Sequence, residues 1–585
     1  MIKVRGMGAS PGCVMGAASL RAPIRIRVVK CSDIDPEEEV ARFEMARENY
    51  RERLGTVIRG TDLEEKESAA ILEAYDGILQ DDAFFGAVIQ RVREERVNID
   101  YVLEEEKQRT VALFREMEDE YLQERATDIA NVCNELILGI QGRERIAPPL
   151  SIKTDEKIIV FADDLTPEDT IKMDKELLGG FVIQRGGLTS HTVILARALG
   201  IPAVVGVKDA LELAMEGEPV ILYGDTGELI IDPGFKEIDA YHFVCERDAR
   251  IQAEYETMRH MTAKTKDGVT VRVDVNCGES LNEADLSGCD GIGLFRTEYI
   301  YMQDKTYPTE EAQVAVYRDM AERLGERELV IRTLDIGGDK NVPYMPVAWE
   351  NNPSLGHRAI RFSLDRQDVF KTQLRAILRA SVYGNVKVMF PMLVNMQELD
   401  TARELLRVSM AELEREGLTF RPDIPVGIMI ETPAAVWLSE DFARKVDFFS
   451  IGTNDLVQYT TATDRMNEKV QYLYDICNPA IIRSVRHVCW NAKKNGIRVG
   501  LCGEAASDPL MIPLWIGMGV DTLSVVPSQV ARAKYIVGKT SYSAINGMLG
   551  QILSRGYTAE VREILMSMTQ GEFPCNHREN SNLSF

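Results

Sequence analysis

The chain has 585 residues, 45% of them hydrophobic and 27% charged, a composition ordinary for globular protein of roughly two to four domains. A formal net charge of −24 disfavours nucleic acid, which wants a concentrated basic surface. It leaves room for locally clustered arginines and for a basic protein partner. No apolar run is long enough to span a membrane, and the start, MIKVRGMGASPG, lacks the basic head and apolar core of a secretory signal. The ten cysteines stand singly, without a C-x-x-C pair, so a cytoplasmic chain is expected rather than a disulfide framework.

The first 20 residues read as a strand and a Gly-rich turn. From Pro36, the residues Val40, Phe43, Tyr50, Leu54 and Val57 recur at helical spacing among many charges. Similar patterns continue, so 36–142 is expected as a helical domain. Short apolar runs follow, KIIVFADD, GGFVIQRGG, IPAVVGV, PVILYGD and GELIIDP, and their Gly, Pro and Asp borders suit strands. With a helix over Ser190–Leu199 they make an α/β domain over 143–233. The N-terminal strand in 1–35 is expected to join it, with the helical domain as an insertion.

A charged helical stretch over 234–264 reads as a connector. From 265 to 570, eight strand-like runs alternate with helical segments: VRVDVNC, GIGLFRTEY, ELVIRTLDI, NVKVMFPM, PVGIMIETP, DFFSIGTND, RVGLCGEA and DTLSVVP. That pattern points to a (β/α)8 TIM-type barrel. The fold class is therefore α/β multidomain. The tail 571–585 is polar, and disorder is expected there rather than a metal site.

The segment GGLTSHTVILARALGIPAVVGV carries the most chemistry in the first half. Gly186 and Gly187 permit a tight turn, Thr189 or Ser190 can cap a helix, and His191 falls in its first turn. Free backbone N–H groups and the positive end of the helix dipole favour an anion there. They would stabilise a phosphoryl group on imidazole and keep the bare ring neutral as a nucleophile. His191 is the only histidine in residues 1–241. A capping or packed histidine is compatible with the same spacing.

GGLTSH followed by ILARALGIPAVVG resembles the phosphohistidine signature of the phosphoenolpyruvate-utilising enzymes. These include enzyme I of the sugar phosphotransferase system, pyruvate phosphate dikinase and phosphoenolpyruvate synthase. The resemblance implies a swivelling α/β domain with His191 as phosphoryl carrier.

A site for phosphoenolpyruvate needs fixed cations for its carboxylate and phosphate, and arginine makes bidentate bonds to both. GLFRTE supplies Arg296, IRTLDIGGDK Arg332, LGHRAIR Arg358 and TDRMN Arg465; any one of them alone reads first as a surface ion pair, less readily so Arg296 and Arg332 at successive strand ends. Glu431 and Asp455 end successive expected strands, so the two carboxylates can converge on one rim and hold Mg²⁺ with substrate oxygens and water, or form ion pairs. Cys502 in GLCGEA stands where a strand meets its loop, as a proton donor or as an inert buried thiol. Beside these, ETPAA, DFFSIGTNDLVQY, RTLDIGGDK and LCGEAASDP resemble the substrate-binding barrel of enzyme I. The resemblance implies that Arg296, Arg332, Arg358, Asn454, Asp455 and Arg465 contact phosphoenolpyruvate, that Glu431 and Asp455 bind Mg²⁺, and that Cys502 is the acid.

Domain order points to enzyme I within the family. Only about 185 residues precede GGLTSH, and they hold no Gly-rich phosphate loop; a dikinase-like or synthase-like enzyme is the alternative, and a non-catalytic regulator a further one. By resemblance the helical insert docks the phosphocarrier HPr, and the barrel pairs two chains into a homodimer. One position departs from the pattern: in AYDGILQDD, Tyr75 stands where the family helix usually has a histidine. An HPr paralogue is therefore also a candidate carrier.

Overall fold

Two strands separated by a single residue form the opposite edges of one sheet in the first half of the chain. The computed structural model describes residues 1–21, 26–60, 75–115, 120–143, 157–163, 165, 173, 177–184, 192–193, 196, 200–278, 285–302, 306–337, 342, 344–345, 350, 352–465, 467 and 469–569. The chain divides into two units between Arg247 and Asp248.

The sheet of the first unit contains β1 (Ile2–Arg5), β2 (Met7–Ser10), β3 (Cys13–Arg21), β4 (Ile158–Ala162), β5 (Leu178–Ile183), β6 (Ala203–Val205), β7 (Pro219–Tyr223) and β8 (Glu228–Ile231). Their order is β1-β8-β7-β3-β4-β5-β6-β2. Gly6 joins the two edge strands, so the sheet curls until its edges approach. A Cβ on Gly6 would lie 2.7 Å from the Val205 carbonyl oxygen, and no larger residue fits. Strand β4 is buried at every position. Ile158 and Val160 face one apolar cluster, Ile159 and Phe161 another, which accounts for the unbroken apolar run IIVFA. Strand β3 lies parallel beside β4, with Ala17 opposite Ile158.

Between β3 and β4 in sequence lie α1 (Pro36–Gly60), α2 (Asp82–Glu95), α3 (Ile99–Arg115) and α4 (Glu120–Ile140). Their apolar faces close around Phe43, Tyr50, Tyr75, Phe85 and Leu136. Asp81 caps α2, its carboxylate accepting from the Ala83 and Phe84 amides. Tyr75 is a core residue, 1% exposed, and its hydroxyl accepts from Asn131 Nδ2 at 3.2 Å. Helix α5 (Phe235–Arg259) follows β8 and contains the division between the units.

The second unit holds the expected barrel. Strands β9 (Arg272–Cys277), β10 (Gly291–Phe295), β11 (Glu328–Arg332), β12 (Asn385–Phe390), β13 (Val426–Ile430), β14 (Phe448–Gly452), β15 (Arg498–Cys502) and β16 (Thr522–Val525) are all parallel, and β16 pairs with β9 to close the ring. Each of the eight strand-like runs contains one of them. The two-residue period of a strand sends alternate side chains inward, and β11 shows the consequence. Glu328 sits near the N-terminal mouth, 3.0 Å from Lys387 and 3.6 Å from Arg272. Val330 joins Leu294, Met389, Met429 and Cys502 in an apolar plug. Arg332 stands above the plug, with Nη1 3.7 Å from the Met429 sulfur. In such barrels charges at the N-terminal mouth serve stability, and those at the C-terminal rim serve chemistry. The tail 571–585 lies outside the described residues.

Candidate active site

The C-terminal rim carries a chain of buried charge. Arg332 Nη2 donates to Glu298 Oε1 at 2.5 Å, and Arg332 Nη1 lies 2.9 Å from Asp335 Oδ2. Asp335 also accepts from Arg358 Nη2 at 2.9 Å and Nε at 3.2 Å. Glu298 begins a short helix, α6 (Glu298–Met302), directly after β10, and its Oε1 accepts the Asp335 amide as well. Burial alone would push the Arg332 guanidinium down, but Glu298, Asp335 and Glu431 hold it above its ordinary range. Arg332 Nε and Glu298 Oε2 are buried with no hydrogen-bond partner. An unsatisfied buried donor beside a fixed cation is unusual and marks a place for a ligand.

Glu431 follows β13, is 1% exposed and receives the Met392 amide on Oε1 at 2.7 Å. Its Oε2 has no partner. Burial first, then Asp455 and Asp335, push its carboxyl up to about 8. Asp455 lies in the first turn of α7 (Thr453–Thr461) and sits 3.9 Å from Arg358 Nη2. The structure thus brings Glu431 and Asp455 into electrostatic contact, which strand order alone left open. Like charges at such a site are relieved by a cation. Among the described residues no group of three or more His, Cys, Asp or Glu side chains forms a metal cage. Two carboxylates with an orphaned buried oxygen fit a cation that takes its other ligands from substrate and water.

Cys502 ends β15 inside the apolar plug, 1% exposed. Burial pushes its thiol up, and Glu431 adds to this, while a hydrogen bond from Ser450 and the charges of Arg332 and Arg296 oppose it. Ser450 Oγ donates to the sulfur at 3.3 Å. The thiol therefore holds its proton at neutral pH. Arg296 follows β10 with its side chain exposed, and its amide donates to the Cys277 carbonyl.

Asn454 and Arg465 meet through Tyr474. The Tyr474 hydroxyl donates to the Asn454 carbonyl at 3.0 Å and hydrogen-bonds the Arg465 side chain. Asn454 Oδ1 accepts from the Glu504 amide at 3.3 Å.

Two residues of the site escaped the sequence reading. Ser450 was signalled only by the period of FFSIG, which places it on the same face as Gly452. Tyr459 closes the run DFFSIGTNDLVQY, but no spacing within that run singles it out. Its hydroxyl accepts from Arg358 Nη1 at 3.1 Å and donates to the Ser354 carbonyl at 2.6 Å.

His191 lies outside the described residues. Of the expected helix Ser190–Leu199, Thr192, Val193 and Ala196 are described, and all three are helical. Val193 and Ala196 pack into the cluster beneath β4 and β5. Thr192, next to His191, is buried with an unpartnered hydroxyl.

Comparison with known proteins accounts for most of the chain. Residues 5–125 match the N-terminal domain of phosphoenolpyruvate-utilising enzymes, 154–227 their mobile domain and 252–542 their phosphoenolpyruvate-binding domain. The chain is 39% identical over 569 residues to the phosphoenolpyruvate-protein phosphotransferase of Priestia megaterium, covering 97% of this chain and 99% of that one. It is 39% identical over 554 residues to that of Latilactobacillus sakei, covering 94% and 96%. With that of Bacillus subtilis it shares 38% over 565 residues, covering 96% and 98%. The chain belongs to the phosphoenolpyruvate-utilising enzyme family, in its phosphoenolpyruvate-protein phosphotransferase, or enzyme I, branch.

Proposed function

We propose that this chain takes the phosphoryl group of phosphoenolpyruvate onto His191 and passes it to a histidine of the phosphocarrier HPr or a paralogue, driving sugar uptake. The observation that carries the reading is the rim of buried Arg332, Arg358 and Glu431 with partly exposed Asp455 above Cys502, in a chain matched along nearly its whole length by phosphotransferases. In this reading Arg296, Arg332, Arg358, Arg465 and Asn454 bind the carboxylate and phosphate of the substrate. Their charge offsets the negative charge of the transferring group, and such fixed electrostatics supply most of the rate in phosphoryl transfer. A neutral imidazole nitrogen of His191 attacks phosphorus in line, and the P–O bond to the enolate breaks. The Cys502 thiol then gives its proton to carbon 3, forming pyruvate, and recovers a proton from water.

Glu431 and Asp455 would hold the divalent metal, taken as Mg²⁺, which when bound neutralises phosphate charge. The unpartnered Glu431 oxygen supports this assignment. Residues 36–142 hold 27 acidic and 13 basic side chains, and that imbalance favours a basic carrier on the helical insert. The reading includes a cytoplasmic homodimer paired through the barrel, as the resemblance to enzyme I implies.

The test uses labelled phosphoenolpyruvate with Mg²⁺ and purified carrier. Acid-labile phosphate should appear on the chain, move to HPr, and vanish in His191→Ala. Label that persists in His191→Ala would overturn the assignment.

A further inference from the structure

The cysteines of this chain stand apart in sequence, but folding brings two of them together. Cys13 opens β3, and Cys245 lies on α5, 232 positions later; their sulfurs are 3.6 Å apart. Both are only partly buried, whereas Cys133, Cys277, Cys289, Cys477, Cys489 and Cys502 are buried. A disulfide sulfur–sulfur bond is about 2 Å long, so the two sulfurs must approach by about 1.6 Å to bond. The pair is also reachable by a small oxidant, which the buried thiols are not.

Its position in the fold gives the pair a consequence. Cys245 stands three residues before Asp248, where the chain passes from the first unit to the second within α5. Upstream of that point the reduced helix is held to the sheet by modest contacts. Lys3 and Glu237 pair at 3.2 Å with Lys3 half exposed, and Tyr241 hydrogen-bonds Cys245 and the Met15 backbone. A partly exposed ion pair contributes about 0–1 kcal/mol, far less than a covalent bond. A covalent bond at Cys245 would fasten α5 to β3 beside the point where the two units join.

We infer that Cys13 and Cys245 form a reversible redox site, a dithiol that a low-molecular-mass disulfide or a peroxide converts to a disulfide fastening α5 to β3. With oxidised glutathione the step balances in two exchanges. One cysteine thiolate attacks the glutathione disulfide and releases one glutathione thiol, leaving a mixed disulfide. The second cysteine displaces the other glutathione, so two protein thiols are oxidised and one glutathione disulfide is reduced to two thiols. A reversible disulfide in a reducing compartment is characteristic of redox sensing. Its effect on phosphotransfer rests on the reading proposed above: the oxidised chain should run slower, because the histidine domain must move between its two partners.

The experiment takes the full-length reduced chain through a series of reduced and oxidised glutathione mixtures, quenches with a thiol-blocking reagent and maps peptides without reduction. The expected product is one linked pair of peptides containing Cys13 and Cys245, lost in Cys13→Ser and, separately, in Cys245→Ser, and reversed by dithiothreitol. Phosphotransfer to carrier should slow on oxidation in the wild type, recover with dithiothreitol, and be insensitive in both serine variants. Glutathione adducts at the two cysteines with no linked peptide would overturn the site. A linked peptide with unchanged turnover would overturn its effect on transfer. If the reduced chain takes no phosphate from phosphoenolpyruvate, the functional reading fails, while the peptide map still decides the redox pair.

Discussion

Arg332 and Glu298 meet at 2.5 Å in the interior of the barrel rim, and each keeps one polar atom without a partner. The pair fixes the guanidinium in place, and its spare Nε is the natural contact for an anion. Removing one partner of a buried pair is costlier than the pair's own net worth, because the other charge is left stranded. Arg332→Ala strands Glu298, while Asp335 keeps its pairing with Arg358. The barrel should lose about 3–5 kcal/mol of stability. All four tryptophans, Trp349, Trp437, Trp490 and Trp515, fall within the second unit, so urea unfolding followed by tryptophan fluorescence reads that unit alone. A wild-type midpoint in Arg332→Ala would contradict the pairing.

Glu431 sets a pH dependence. Its carboxyl stands near 8 in the folded chain against an ordinary value of 4.5. Between those values the folded state keeps a proton that the unfolded state has released. Stability from this group is therefore fully present below 4.5 and is lost as pH rises to about 8. Metal-free Glu431→Gln should unfold at higher temperature than the wild type at alkaline pH, with the difference shrinking toward acid pH. Divalent metal should bind the wild type more tightly as pH rises through this range and should release a proton on binding. Calorimetry of Mg²⁺ addition in two buffers of different ionisation enthalpy measures that proton; a release of none would remove Glu431 as ligand.

Cys502 is protonated because it is buried in the apolar plug. As an acid it should contribute roughly 10²–10⁴-fold to pyruvate formation, and Cys502→Ala should lose that factor with little change in substrate affinity. Activity should fall on the alkaline side as pH passes the raised thiol value. The Ser450 hydroxyl lowers that value, so Ser450→Ala should move the alkaline limb to higher pH. A limb that stays in place would separate Ser450 from the thiol.

Tyr75 departs from the family pattern but faces inward. Tyr75→Phe removes the hydrogen bond from Asn131 and should cost about 1 kcal/mol, with carrier phosphorylation unchanged. Tyr75→Ala should cost about 3–5 kcal/mol by leaving a cavity. Thermal unfolding of the helical insert, followed by circular dichroism, gives both values. A changed KM for carrier in Tyr75→Phe, with stability intact, would put the side chain at the docking surface instead.

The eight barrel strands were legible because each is short, apolar and bordered by turn residues, and because their order leaves one regular way to close. Arg296, Arg332, Glu431 and Asp455 were legible because they stand at or just after the ends of those runs, whereas Arg358 and Arg465 lie between strands and followed only from the family resemblance. Tyr459, Ser450 and the pairing of Arg332 with Glu298 were not, since each contact joins segments far apart in sequence and no local spacing encodes it. Strand alternation and strand order come from local chemistry, so the sequence by itself determined the fold class and which charged residues end its strands. Which of those residues touch, which atoms are left without partners, and the meeting of Cys13 with Cys245 were decided only by the tertiary structure, because burial and long-range approach depend on how the whole chain closes.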